Sequence, residues 1–239
     1  MNYVLIHGGG HGGWCYRWLA NELRSAGHEV WTPTLTGFGD RSHLGGQDVD
    51  FATFVTDVVQ VLELEDITDA VLVGHSMGGV VVPRVAEVAA SRISQVVWMA
   101  AVVLADGETL LEAVPQTPEM ARAVRIRPDG AAETDADLIV EAVVSDGSPE
   151  QRSWVRGRHR PYPRAALVEP GRLTAFLEVG LPTAYVTATL DAAIPREAAE
   201  RFAERLPGCS RAEVEAGHDL MVTQPGQTAR ALESVTTGS

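Results

Sequence analysis

The stretch Gly74-His75-Ser76-Met77-Gly78 holds the residue types for nucleophilic chemistry. It follows the apolar run 70–73 and precedes a helix-like run at 79–90. A serine on such a strand-to-helix turn needs glycines around it, because strand and helix approach too closely for Cβ atoms. The turn lifts the hydroxyl out of the sheet and aims a helix N-terminus at the reacting carbonyl. A serine hydroxyl is a poor nucleophile at neutral pH and needs a base, which in turn needs an acid to fix its tautomer. His218, in Ala216-Gly217-His218-Asp219, fits the base; Asp191, in Thr189-Leu190-Asp191-Ala192-Ala193-Ile194-Pro195, fits the acid. Asp106 also follows an apolar run and is an alternative acid. Tetrahedral oxyanions need two amide donors. The Met77 N–H supplies one, and Gly9, in His7-Gly8-Gly9-Gly10-His11-Gly12-Gly13-Trp14, is favoured for the other.

Short apolar runs at 4–6, 29–32, 70–73, 95–101, 183–187 and 211–215 alternate with helical patterns at 14–26, 51–64 and 79–90. That order implies an α/β fold with a mostly parallel sheet of about six strands and helices on both faces. The alternation breaks between residues 105 and 180, which hold Pro115, Pro118, Pro128, Pro149, Pro161, Pro163 and Pro170 with helical patterns at 135–144 and 149–158 between them. The expected organisation is a core of residues 1–104 and 181–239 with a helical cap at 105–180, roofing the carboxyl ends of the strands where ligands of open α/β sheets bind.

Several features carry a quieter reading beside the chemical one. His7 and His11 have an i, i+4 spacing, but that spacing converges only on a helix and the surrounding glycines oppose one, so no metal site is expected. The literal G-x-G-x-x-G at Gly8, Gly10 and Gly13 lacks an acid at the end of the next strand, where Trp31-Thr32-Pro33 stands, and is read as accidental. Asp219 is read as a turn or cap partner, and His75 as a structural residue of the turn. Pro83, early in the helix after Ser76, should kink it or cost a backbone bond. Arg152, Arg156, Arg158, Arg160, Arg164 and Arg172 make the cap locally basic, either as an anion site or as solvated faces, the second being favoured. Trp154, Tyr162 and Phe176 are candidates for the substrate pocket or for cap core.

Composition narrows the classes. The chain has 239 residues, 45% of them hydrophobic, enough for one α/β domain with a large core. A net charge of −13 disfavours nucleic acid and anionic membranes as partners. No apolar stretch is long enough to span a bilayer, and the first residues read as a strand rather than a signal peptide. Two cysteines make no disulfide framework and fit a cytoplasmic setting. All 19 basic residues are arginine, which excludes a catalytic lysine.

His7-Gly8-Gly9 with His11-Gly12-Gly13-Trp14, then Thr34-Leu35-Thr36-Gly37-Phe38-Gly39-Asp40-Arg41-Ser42-His43, the run 74–79, Asp191 to Pro195 and Gly217-His218-Asp219 together resemble the α/β-hydrolase superfamily. The order Ser76, Asp191, His218 is also that of this class. Within it the chain is similar to the branch of plant methyl-salicylate-type esterases, hydroxynitrile lyases and bacterial esterase-like hydrolases. The resemblance covers most of the chain except the cap, and it maps Ser76, Asp191 and His218 onto the triad and Gly9 and Met77 onto the oxyanion hole. The first two strands of the larger superfamily sheet are expected to be absent. The implied activity is hydrolysis of small or medium carboxylic esters, or a related carbonyl compound, through an acyl-enzyme, with no cofactor. A C–C hydrolase, thioesterase or cyclase could use the same residues, and a non-catalytic receptor is the rival of a different class. A hydroxynitrile lyase is disfavoured because Asp219 stands where a lysine is expected.

Overall fold

The computed structural model describes residues 1–46, 48–114 and 124–236. Its strands are β1 Asn2–Ile6, β2 Glu29–Trp31, β3 Ala70–Ser76, β4 Ile93–Ala101, β5 Val124–Ile126, β6 Ala131–Thr134, β7 Tyr162–Pro163, β8 Thr183–Ala188 and β9 Ser210–Val214. Six of them form one sheet in the order β2-β1-β3-β4-β8-β9, with every pair parallel. Side chains alternate across the strands. Val4, Ile6, Leu72, Val96 and Trp98 therefore enter one core, and Tyr3, Leu5, Val71, Val73 and Val97 the other.

Helices cover both faces because their apolar residues recur every three or four positions. On the first face, α1 Phe51–Leu64 buries Phe51, Phe54, Val58 and Leu62, and the Asp50 carboxylate caps it by accepting from the Thr53 N–H at 2.9 Å. Beside it packs α2, Gly78–Ala89. On the second face lie helices Arg17–Ser25 and Pro225–Thr236. The helix expected over 14–26 is divided: a 3-10 turn at Gly13–Tyr16 precedes the α-helix.

The strand order reverses between β1 and β3. β2 lies outside β1, whereas β4 and its successors lie beyond β3. The loops leaving β1 and β3 therefore part to opposite sides and open a crevice at the carboxyl edge. The glycine loop follows β1 and Ser76 ends β3, so both border that crevice.

The segment between β4 and β8 contains helices, including Ala136–Val143 and Pro149–Arg156, but it is not purely helical. β5, β6 and β7 make a separate antiparallel sheet. The missed signal was Pro128-Asp129-Gly130 between two short β-prone runs. Gly130 takes a φ of +81°, and the Arg127 N–H closes the hairpin on the Ala131 carbonyl at 2.8 Å. Pro115 and Pro118 lie outside the described residues.

Candidate active site

Ser76 ends β3 with a φ of +53°, a left-handed conformation that costs a side-chain-bearing residue energy and is held by its surroundings. The closeness that imposes it is visible at two glycines. A Cβ on Gly74 would sit 2.6 Å from the Gly78 carbonyl oxygen, and one on Gly78 would sit 2.5 Å from that of Ile6. Met77 follows as the N-cap of α2. Pro83 lacks the N–H that would reach the Gly79 carbonyl one turn earlier. That carbonyl instead accepts the Trp98 indole N–H at 2.9 Å, so the bond expected to be lost is replaced from β4.

His218 lies in the loop after β9, 3% exposed. Its Nδ1 is 2.7 Å from Asp191 Oδ2, and Asp191 Oδ1 accepts from the N–H groups of Ala193 and Ile194, each at 2.8 Å. Both carboxylate oxygens are thereby fixed. Burial opposes charge on the His218 ring, but the charge and hydrogen bond of Asp191, with Asp219 beyond, outweigh it and raise its pKa. Asp106 stands elsewhere. It is exposed and accepts from the Thr174 backbone N–H at 3.0 Å and from the Thr174 hydroxyl, which lowers its pKa. Asp191, not Asp106, meets His218. His75, fully buried, donates through Nε2 to the His218 carbonyl at 3.0 Å. Burial and the facing His218 hold it down to about 3, so it supports the loop as a neutral ring.

The glycine loop is gripped by its own histidines. His7 Nδ1 donates to the Gly8 carbonyl at 2.9 Å, while its Nε2 accepts the Leu35 N–H at 3.1 Å. The ring is thus one fixed neutral tautomer, consistent with burial holding it down to about 4. In a trans peptide the N–H points opposite to the C=O. Pinning the Gly8 carbonyl therefore aims the Gly9 N–H the other way. Among the described residues neither the Gly9 nor the Met77 amide is spent on a protein acceptor. His11 reaches the Gly9 carbonyl with Nδ1 at 2.8 Å and Asp219 Oδ2 with Nε2 at 2.9 Å. Asp219 is fully buried and stands at the N-cap of the helix Leu220–Thr223, as its turn or cap reading has it, but its side chain makes no cap and serves His11 instead. Nothing in the local sequence signalled this contact, which spans 208 positions of the chain.

Gly9, Ser76, Met77 and His218 border one cavity of about 330 Å³. Its walls are mostly branched aliphatic, such as Val102, Val143, Leu167 and Ile194, and among the described residues no Asp, Glu or Arg lines it. Tyr162 lines it as expected, against Gly9 and stacked on Phe38 at 5.6 Å. Trp154 does not. It packs on Trp14 and Trp18, with ring centroids 5.0 and 4.4 Å away, under the Arg158 guanidinium. Phe176 is core against Trp98. Both aromatics are spent on packing against other aromatic rings, a direction that residue type alone did not reveal. The structure adds His159 and Thr134 to the lining. Of the cap arginines, Arg152 pairs with Glu141 and Arg156 with Asp137, and Arg172 lies near Glu87. The solvated-face reading fits them.

The chain matches the model of the alpha/beta hydrolase family over residues 3–231. It belongs to the α/β-hydrolase family. It is 34% identical to a carbendazim-hydrolysing esterase of Nocardioides sp. (strain SG-4G), over 98% of this chain and 99% of the relative. Among solved structures, an extracellular α/β-hydrolase from a Paenibacillus species superposes with a TM-score of 0.88 at 25% identity, covering 98% of each chain. A methylesterase from Arabidopsis has a TM-score of 0.81 at 22% identity over 99% of each chain, a likeness of fold alone.

Proposed function

We propose that this α/β hydrolase is a serine esterase in which Ser76 is the nucleophile, His218 the base and Asp191 its orienting acid. The supporting observation is convergence. Ser76, His218, Gly9 and Met77, the last two with unspent amides, border one cavity, with Asp191 fixed 2.7 Å behind the histidine. Ser76 Oγ attacks the ester carbonyl as His218 Nε2 takes its proton, and the two amides receive the oxyanion. His218 returns the proton to the departing alcohol. A water activated by the same ring then attacks the acyl-Ser76 bond and frees the acid.

The substrate class follows from the walls. Branched aliphatic residues, and the absence of acidic or arginine side chains among the described lining residues, favour uncharged esters of small or medium size. Carbendazim belongs on the substrate panel because of the relative's activity. In this reading the segment 105–180 is a cap that selects substrate, and the chain acts in the cytoplasm. Two unpaired cysteines, one of them buried Cys15, support a reducing setting. Among the described residues no helix is long and apolar enough to cross a membrane.

The test is covalent. A small fluorophosphonate should label the protein once, at Ser76, and p-nitrophenyl and aryl methyl esters should turn over. A protein that binds esters without labelling or turnover would be a receptor. Labelling with thioester or C–C substrates preferred over esters would move the activity, not the machinery.

Wall residues carry a further expectation. Tyr162→Ala should reorder kcat/KM among esters by about 1–3 kcal/mol, the scale of an apolar pocket contact. Trp154→Ala should leave the order unchanged while lowering thermal stability, because it loosens the packing on Trp14 and Trp18. A reordered panel from Trp154→Ala would put that residue back in the pocket.

A further inference from the structure

His11 and Asp219 lie beside the proposed machinery without a part in it, and their hydrogen bonds raise a proton-counting problem. The partners of His11 are a backbone carbonyl at Nδ1 and a carboxylate at Nε2, 2.8 and 2.9 Å away. A carbonyl can only accept. A neutral imidazole has a single N–H, so it cannot donate to both. Either the ring carries two protons or the carboxyl carries one. Both residues are buried, with His11 2% and Asp219 0% exposed.

We propose that His11 is held as a buried imidazolium by Asp219, and that this cation is a positioning residue for the oxyanion hole. The inference rests on the serine-esterase reading above. His218 thus has Asp191 as its carboxylate, and the glycine loop has a second histidine–carboxylate pair of its own. The two pairs meet in the chain, because Asp219 directly follows His218.

The surroundings favour the charged form. Burial opposes charge on His11, but the Asp219 charge and hydrogen bond outweigh it and raise its pKa. Burial likewise opposes the Asp219 carboxylate, yet His11, with His75 and His218, brings it below the usual carboxylate range. The other titratable groups facing the pair are His7, His75, His159, His218, Cys15 and Tyr16. His75 and His159 are held near 3 and His7 near 4, so they remain uncharged at neutral pH. Cys15 and Tyr16 are pushed up by burial and stay protonated. These five groups therefore add no charge beside the pair at neutral pH, whereas His218 does so whenever it is protonated.

The consequence for catalysis is geometric. The peptide before Gly9 is held at the Gly8 carbonyl by His7, and the peptide after it is held at the Gly9 carbonyl by His11. The Gly9 N–H lies between these two grips. A hydrogen bond from a charged donor is about twice as strong as a neutral one, so the His11 grip resists rotation of the loop as negative charge grows on the substrate oxygen. His11 also lines the cavity that Gly9 and Met77 border, so its charge belongs to the same site.

Histidine-selective ¹⁵N NMR tests the proton count directly. In wild type, and equally in Ser76→Ala, the His11 ring should show both nitrogens protonated at about pH 7.5. Asp219→Asn keeps the shape and removes the charge, so the ring should fall to one proton. In that variant kcat should drop roughly tenfold to a hundredfold, below the about 10²–10³ for losing an oxyanion donor outright. KM should stay within about twofold, since the grip matters to the transition state more than to the bound ester. A singly protonated His11 in wild type overturns the proposal, and needs no variant to fold. So does an Asp219→Asn protein with wild-type kcat. Failure of a fluorophosphonate to label Ser76 would remove the parent reading and leave the proton count standing.

Discussion

Ser76→Ala should lower ester turnover by a factor on the order of 10⁶, the cost of deleting the nucleophile of a triad that acts as a unit. The fold should survive, because the hydroxyl contributes no hydrogen bond to the turn among the described residues. The φ of +53° adds a second expectation. Alanine inherits the left-handed strain that serine bears, roughly 1–2 kcal/mol, whereas glycine adopts this conformation freely. Ser76→Gly should therefore melt higher than Ser76→Ala while being equally inactive. Paired measurements of kcat and thermal midpoint check both halves. Residual turnover near wild type sinks the serine mechanism, and a glycine variant less stable than the alanine one sinks the strain argument.

Asp191→Asn should cost about 10⁴ in kcat, because an amide can present its N–H to His218 Nδ1 and favour the wrong tautomer. Asp106→Asn should be near wild type in kcat, since that carboxylate serves Thr174. The pH profile should move as well. Asp191 raises the pKa of His218, and the base works only when neutral. Wild-type activity is accordingly lost as pH falls through this raised value. Removing the carboxylate takes away the main raising cause and leaves burial, which lowers the pKa, so the acid limb of the surviving activity should shift to lower pH. An unmoved limb, or a larger loss from Asp106→Asn, overturns the assignment.

The frame and the chemistry-bearing loops were legible because their signals are local. Strand runs alternated with helical spacing, residues 51–64 matched their helix, and the glycines around Ser76 announced a turn with no room for Cβ atoms. What stayed hidden depends on direction or distance. Trp154 and Tyr162 are both aromatic cap residues, and only the course of the backbone sends one to the cavity and the other to Trp14 and Trp18. Asp191 and Asp106 both follow apolar runs, and the choice between them was made by loops closing far apart in sequence. The bond between His11 and Asp219 leaves no periodicity or motif at either end. The β5–β6 hairpin was readable from Pro128-Asp129-Gly130, but the helical patterns on its C-terminal side drew the segment toward an all-helical reading.

The Trp98 indole that answers the Gly79 carbonyl binds the fates of two distant sequence positions. With proline at 83, an aromatic N–H at 98 is the donor that keeps a buried carbonyl from going unpaired, a deficit of about 1–3 kcal/mol. Trp98→Phe should thus be tolerated far better in a chain that also carries Pro83→Ala than in one that does not, because alanine restores the backbone N–H. The two substitutions are non-additive by construction. In a drifting lineage the order of events would matter: the proline must leave before the tryptophan can.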